Sequence, residues 1–371
     1  NSLDISETIF LDDFSGGVAE LTGGAGNTIF DLDGWNGSGA QALIDGLGGN
    51  DSFLATPNQN IWNITADNEG DVGEFLFTGV ETLLGNTGQD SFVFDDGFTV
   101  SSVSGDRHLN TDNTDFQDTI DFSDSNTPIS LRINTSNPSY TGTIDASSIS
   151  TQLAFLDIEV FVGSNDDEDF FQGFDGQSAW TIDQGSGIGN LTNEYASDTT
   201  TPLDGVVDGG GAVASFSGFE VLRGGGGQDI FTIVGTQDVD ILGGAGSDVF
   251  RFENGASVTG GIDGMSGTDA IDYRAYTTGR NVVLTSASDD NDFNADIRTV
   301  NNITDSLPSE GTVPAVGPKD IDGFAGDETT TILAGFRNIN VIRGSDTGNG
   351  DSLTGFDTSV NWNIDGRDDV V

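Results

Sequence analysis

The chain has no cysteine, one histidine, one methionine and seven prolines in 371 residues. Without cysteine there can be no disulfide, no thiolate metal site and no cysteine nucleophile. Positive charge is almost as scarce: Lys and Arg together number 11, and Lys319 is the single lysine. Nucleic-acid binding needs a basic footprint, so no nucleic-acid partner is expected. No apolar run approaches the length that spans a bilayer, and an anionic lipid surface would repel the chain. No membrane insertion is expected. Helical periodicity is nearly absent, which removes bundles and coiled coils.

What the chain has is acid and glycine. Asp and Glu total 61, only 12 of them Glu, and the formal net charge is −50. Gly contributes 54 residues, without the three-residue period of collagen. Disorder is the usual reading of such charge. The 25 Phe and four Trp, set in short alternating runs with Ile, Val and Leu, argue instead for a folded chain. Self-repulsion at this charge works against compaction, so a neutralising cation is expected. Short Asp side chains in Gly-rich turns suit calcium, which takes many hard oxygen ligands in a flexible shell.

Self-similarity is the dominant signal. The block Phe77-Thr78-Gly79-Val80-Glu81, followed by Gly85 through Asp90 and Phe92, returns as Phe216-Ser217-Gly218-Phe219-Glu220, Gly224 through Asp229 and Phe231. Weaker copies begin at Phe155 and Phe336. A second block, Gly261 through Tyr273, then Val282 and Leu284, resembles Asp118 through Phe122 with Ile129 and Leu131. A Trp motif recurs at Trp62, Trp180 and Trp362, and its strand-like neighbours place the Trp in the core rather than in a sugar site. Each block reads as a short strand, a Gly/Asp turn and another short strand. Strands this short gain stability only by stacking on neighbours. The expected fold is all-β, an irregular parallel β-solenoid or β-helix with a β-roll-like section near 224–251.

Gly243-Gly244-Ala245-Gly246-Ser247-Asp248-Val249-Phe250-Arg251 fits every position of the nonapeptide Gly-Gly-x-Gly-x-Asp-x-apolar-x, and Gly224 through Thr232 fits too. In these residues the chain resembles the RTX family of secreted calcium-binding repeats. The resemblance implies Ca2+ held by turn carbonyls and Asp carboxylates. It points to Asp229 and Asp248 first, then Asp238, with Gly225, Gly227, Gly244 and Gly246 shaping the turns and Asp90 and Asp269 in related ones. Over most of its length the chain also resembles the divergent Gly/Asp repeats of large bacterial exported surface proteins, of hemagglutinin-like or adhesin-like type. That likeness implies an extracellular or cell-surface location.

No reaction-class signature emerges. The Asp pairs are what this composition yields, and His108 sits in a polar stretch without a motif around it, so no enzyme is expected. Organisation is read as 1–60, an N-terminal β repeat and candidate acceptor end; 61–179, a first repeat unit; 180–358, a longer second unit; and 359–371, a C-terminal strand that could complete the next copy. The ends look like two halves of one motif, and Asn1–Phe10 shows no leader, as in a processed chain or a segment of a longer one. The expected function is a structural protomer of an extracellular filament or sheath, a head-to-tail homopolymer stabilised by calcium. The alternative is a calcium-dependent adhesin or binding module for surface glycans.

Overall fold

The computed structural model describes residues 7–10, 20–33, 42–105, 117–135, 141–146, 152–183, 189–193, 213–286, 321–326, 331–345 and 351–354. His108, Lys319, Trp362 and the candidate donor strand 359–371 lie outside the described residues. The fold is all-β, as expected, and no helix occurs among the described residues. The strands form a 17-stranded sheet, a 15-stranded sheet and a small pair, Ala245–Gly246 with Ser266–Gly267.

Both large sheets are mixed, and the mixing follows one rule. Most strands pair in parallel with strands one layer earlier and one layer later, alternating between the two sheets along the chain. At four places a three-stranded antiparallel meander interrupts this. In the first, Ile61–Ala66, Glu69–Val72 and Phe75–Thr78 run back and forth. Its first strand then pairs in parallel with the later Ser91–Phe94, and its third with the earlier Ala42–Asp45. The chain therefore overshoots two layers, folds back and resumes. The other meanders are Ile129–Thr135, Thr141–Ala146 and Leu153–Leu156; Ser178–Asp183, Gly189–Asn193 and Val213–Ser217; and Asn281–Ser286, Ile321–Gly326 and Thr331–Ile339. Among the described residues the four middle strands alone run antiparallel to both of their neighbours.

The meanders share an internal device. Each middle strand carries a glycine paired with an aliphatic residue on one side and a Phe on the other: Ile64–Gly70–Phe77, Ile133–Gly142–Phe155, Ile182–Gly189–Phe216 and Leu284–Gly323–Phe336. A Cβ on Gly70 would lie 2.8 Å from Cζ of Phe77, and one on Gly142 would collide with the Phe155 ring. The ring fills the space that the glycine leaves empty.

The core lies between the inner faces of the two sheets. Inward side chains stack in register from layer to layer, with Trp62 on Phe92 at 5.9 Å, Trp180 on Phe231 at 5.3 Å and Phe231 on Phe250 at 5.3 Å. Across the sheets, Phe53 meets Trp62 edge-on at 5.0 Å. Trp62 and Trp180 are fully buried, in keeping with the core role that their neighbours suggested. Full burial of one such side chain contributes about 1.5–3 kcal/mol, and each ring pair adds about 0.5–1.5 kcal/mol. No single three-residue strand could hold its place without these stacks.

Candidate functional site

The residues singled out for calcium stand in or beside turns that lead into strands, and the structure joins three of them, Asp229, Asp248 and Asp269, in one column. The Asp229 N–H donates to Oδ1 of Asp248 at 2.8 Å, and the Asp248 N–H donates to Oδ1 of Asp269 at 2.9 Å. The Asp269 N–H ends the series on Oδ1 of Asn340 at 2.7 Å. Each carboxylate thus accepts the backbone N–H of the equivalent residue one layer earlier. A second column on the same sheet runs from the Asn60 N–H to Asp90 at 2.9 Å, from the Asp90 N–H to Asp118 at 2.7 Å, and from the Asp118 N–H to Oε2 of Glu159 at 3.0 Å. The other sheet repeats the device, with Thr28 to Asp51 at 2.6 Å and Asp51 to Glu81 at 2.8 Å. There too the Ile129 N–H reaches Asp169 at 2.7 Å and the Asp169 N–H reaches Glu220 at 3.1 Å.

Four column starts follow from the topology, while the Thr28 column starts on a strand paired in parallel with Glu7–Phe10. Asn60, Ile129, Ser178 and Arg280 stand at the starts of the four meanders' first strands, and none is acidic. The layer beneath each is an antiparallel strand, which offers no equivalent N–H for a carboxylate to accept. The columns end on a different turn, the Phe-x-[Gly/Asp/Asn]-apolar-[Glu/Asn] motif after each meander. Its third residue has a positive φ every time: 63° at Gly79, 54° at Asp157, 74° at Gly218 and 54° at Asn338. Gly, Asp and Asn are the types that tolerate this conformation. Its fifth residue, Glu81, Glu159, Glu220 or Asn340, supplies the last acceptor of a column.

The glycines of the long turn follow from close layering. A Cβ on Gly243 would meet Oδ2 of Asp248, five residues on, and would lie 2.7 Å from the Gly264 carbonyl of the next layer. Gly246 has φ 135°, and a Cβ there would collide with the Gly227 carbonyl. Gly225, Gly227 and Gly244 likewise sit against backbone of the adjacent layer. The pattern that resembles the calcium nonapeptide is therefore also what close stacking of turns demands.

Asp238 falls outside the columns: it is exposed, and its Oδ1 accepts the Thr259 hydroxyl at 2.7 Å. The buried acid of that layer is Asp240, whose Oδ1 accepts the Gly261 N–H at 2.6 Å. Sequence reasoning passed over Asp240 and the four fifth-position acceptors, although the recurring Glu one layer beyond each Gly/Asp turn was a visible signal. The excess of Asp over Glu has a second use in this fold. Asp31, Asp45, Asp121, Asp263 and Asp272 each accept the N–H two residues on, at 2.8–3.1 Å, and open a turn at a strand's end.

Burial dominates the electrostatics of the columns. It pushes the Asp169 carboxyl up to about 7, Asp229 to about 7 and Asp248 to about 8, against the opposing hydrogen bonds. The charges of Asp229 and Asp269 add to the effect at Asp248. At Asp272 burial acts in the same direction but is outweighed by Arg274, by hydrogen bonds and charge, and by Arg343, so this carboxyl lies below its ordinary value.

The carboxylate oxygens of the column differ in what engages them. Asp229 has both oxygens engaged, Oδ1 by the Ser178 hydroxyl and Oδ2 by the Gly225 N–H at 2.8 Å. Asp248 has one oxygen, Oδ2, without a hydrogen-bond partner, and it is buried. Among the described residues no three His, Cys, Asp or Glu side chains converge as metal ligands. The arrangement can hold layers in register, and burial raises the carboxyls of Asp169, Asp229 and Asp248 above their ordinary range. No protein-family model matches the chain, and no curated protein matches it.

Proposed function

We propose that the chain is a structural protomer of an extracellular, cell-surface filament or sheath, built as an irregular parallel β-solenoid and assembled head to tail with further copies. The observation that carries this reading is the run of acid-to-N–H steps from layer to layer, with a core stacked in the same register. Hydrogen bonds and side chains are spent on repeating one layer upon the next, which is the economy of an elongated body. Unpaired strand edges at the ends of such a stack favour addition of another stack.

Calcium belongs to the proposal through charge. A chain of net charge −50 gains stability from divalent counter-ions at its outer turns, whatever its inward carboxylates do. Negative-stain electron microscopy of the purified protein, with calcium and again after chelation, tests both parts. Uniform filaments that fray or vanish on chelation support a calcium-stabilised polymer. Filaments indifferent to chelation keep the structural role and remove the calcium. Single rods in both conditions overturn the polymer and leave the adhesin or glycan-binding reading in its place.

A further inference from the structure

Asp51 is a buried carboxyl whose two oxygens have different surroundings. Its Oδ1 accepts the Thr28 N–H at 2.6 Å, which ties the strand Thr28–Asp31 to the next layer. Its Oδ2 is buried and has no hydrogen-bond partner. That oxygen lies 2.6 Å from the point a Cβ on Gly46 would occupy, and the Gly79 carbonyl oxygen crowds the same point. Two oxygens facing one small space repel each other when both carry only lone pairs. A hydrogen on one turns the repulsion into a bond.

We propose that Asp51 is a proton-held latch: in the folded chain its Oδ2 carries a hydrogen directed at the Gly79 carbonyl while Oδ1 holds the Thr28 N–H, and loss of that proton loosens the Thr28–Asp31 layer. The proton comes from solvent, and nothing else is transferred. A neutral group can do this work, because Asn340 accepts the Asp269 N–H at 2.7 Å in the same kind of step. The column needs an acceptor rather than a charge.

Among the described side chains, the titratable groups placed around the latch are both acidic. Asp45, on the strand Ala42–Asp45, adds negative charge, and Glu81 of the next layer takes the Asp51 N–H on its Oε2. From the layer below, Thr28 brings only its N–H and hydroxyl. Burial raises the Asp51 carboxyl above its ordinary range, against the Thr28 hydrogen bonds and with help from Asp45. The folded state then binds a proton that the unfolded chain has released, so this layer's stability falls as pH rises through the folded midpoint.

The test uses the full chain in chelator, with 13C-labelled Asp. The Asp51 carboxyl carbon, assigned by its loss in Asp51→Asn, should titrate later than the exposed carboxyls. Protection of the Thr28 amide from hydrogen exchange, corrected for intrinsic rate, should fall severalfold as pH rises from the midpoint of the exposed carboxyls to that of Asp51, and level off above it. In Asp51→Asn, whose amide supplies the same acceptor and a permanent donor, protection should not change with pH. The latch is overturned if Asp51 titrates with the exposed carboxyls, or if Asp51→Asn loses the Thr28 protection at every pH. Should that variant not fold, the amide is no substitute for the acid, and titration in the unaltered chain, with assignment through neighbouring backbone resonances, decides alone.

Discussion

Residues 224–272 and residues 85–162 contain the same acid column on opposite terms of sequence regularity. In the first, Asp229 and Asp248 follow at 19 residues and Asp248 and Asp269 at 21. In the second, Asp90 and Asp118 are 28 apart, and Asp118 and Glu159 are 41 apart. The hydrogen bonds are nevertheless alike, at 2.7–3.0 Å in both. The layer is fixed by what stands immediately before the strand and by the glycine that lets it approach. The chain between those points can differ: the step from Asp118 to Glu159 contains the whole meander Ile129–Thr135, Thr141–Ala146 and Leu153–Leu156. Regular spacing in 224–272 therefore signals an absence of insertions.

The sharpest way to break the comparison is to fill the close approach. Gly246→Val combines a backbone conformation hostile to side chains with a collision against the Gly227 carbonyl. It should cost about 3 kcal/mol or more, read as a lower urea midpoint. Gly48→Ala is the control within another Gly/Asp turn, since the space at its Cβ is open. It should stay within about 0.5 kcal/mol. Equal losses at the two positions would mean that layer contact does not dictate the glycine pattern.

Next in size is the pH dependence that the two sheets share. Asp169 near 7, Asp229 near 7 and Asp248 near 8 are all raised in the folded chain above the ordinary 3.8. The folded state then holds more protons than the unfolded state between those limits, so stability falls as pH rises from about 4 to about 8. Asp272, held below its ordinary value, opposes this only at the acid end. Urea midpoints in chelator should therefore decline from mildly acidic to mildly alkaline pH. A midpoint that rises over that range would show these carboxyls to be ionised in the fold.

Asp248→Ala and Asp118→Ala then compare the regular column with the irregular one directly. Each removes the acceptor of one buried backbone N–H, of Asp229 and of Asp90, and each should cost about 1–3 kcal/mol. The two losses should match, with calcium or without it. A loss confined to Asp248→Ala, and to calcium-containing buffer, would return the regular section to the calcium role that its resemblance implied.

Much of this was legible in the residues. Absent helical periodicity and short β-branched and aromatic runs gave the all-β class, and the repeated Phe-x-Gly-x-Glu and Gly-x-x-x-x-Asp spacings marked both kinds of turn. The middle strands of the meanders were not legible. Glu69–Val72 and Thr141–Ala146 carry Gly70 and Gly142 at inward positions, so their apolar alternation is broken where the Phe ring replaces a side chain. Two meanders also lack the Trp that marks the others, with Leu131 and Val282 on their first strands instead. The direction of the carboxylates was hidden for a different reason. An Asp after a Gly-rich turn looks the same in sequence whether it closes on a cation or on the N–H of the layer beside it.

The finest distinction between turns lies at the second position. Gly244 takes φ 107° there, while Met265 in the next layer takes 63° and Leu47 in another turn takes 66°. A side chain in this region carries strain of about 1–2 kcal/mol, whereas glycine lowers stability through the greater freedom of the unfolded chain, by about 0.4–1 kcal/mol. Met265 is only partly buried, so little packing is lost with its side chain. Met265→Gly should therefore raise the urea midpoint slightly, by the equivalent of about 0.5 kcal/mol. A clear loss would show that the Met265 side chain contributes more to the turn than its backbone strain removes. The first four residues of the nonapeptide pattern would then follow side-chain packing as well as layer spacing.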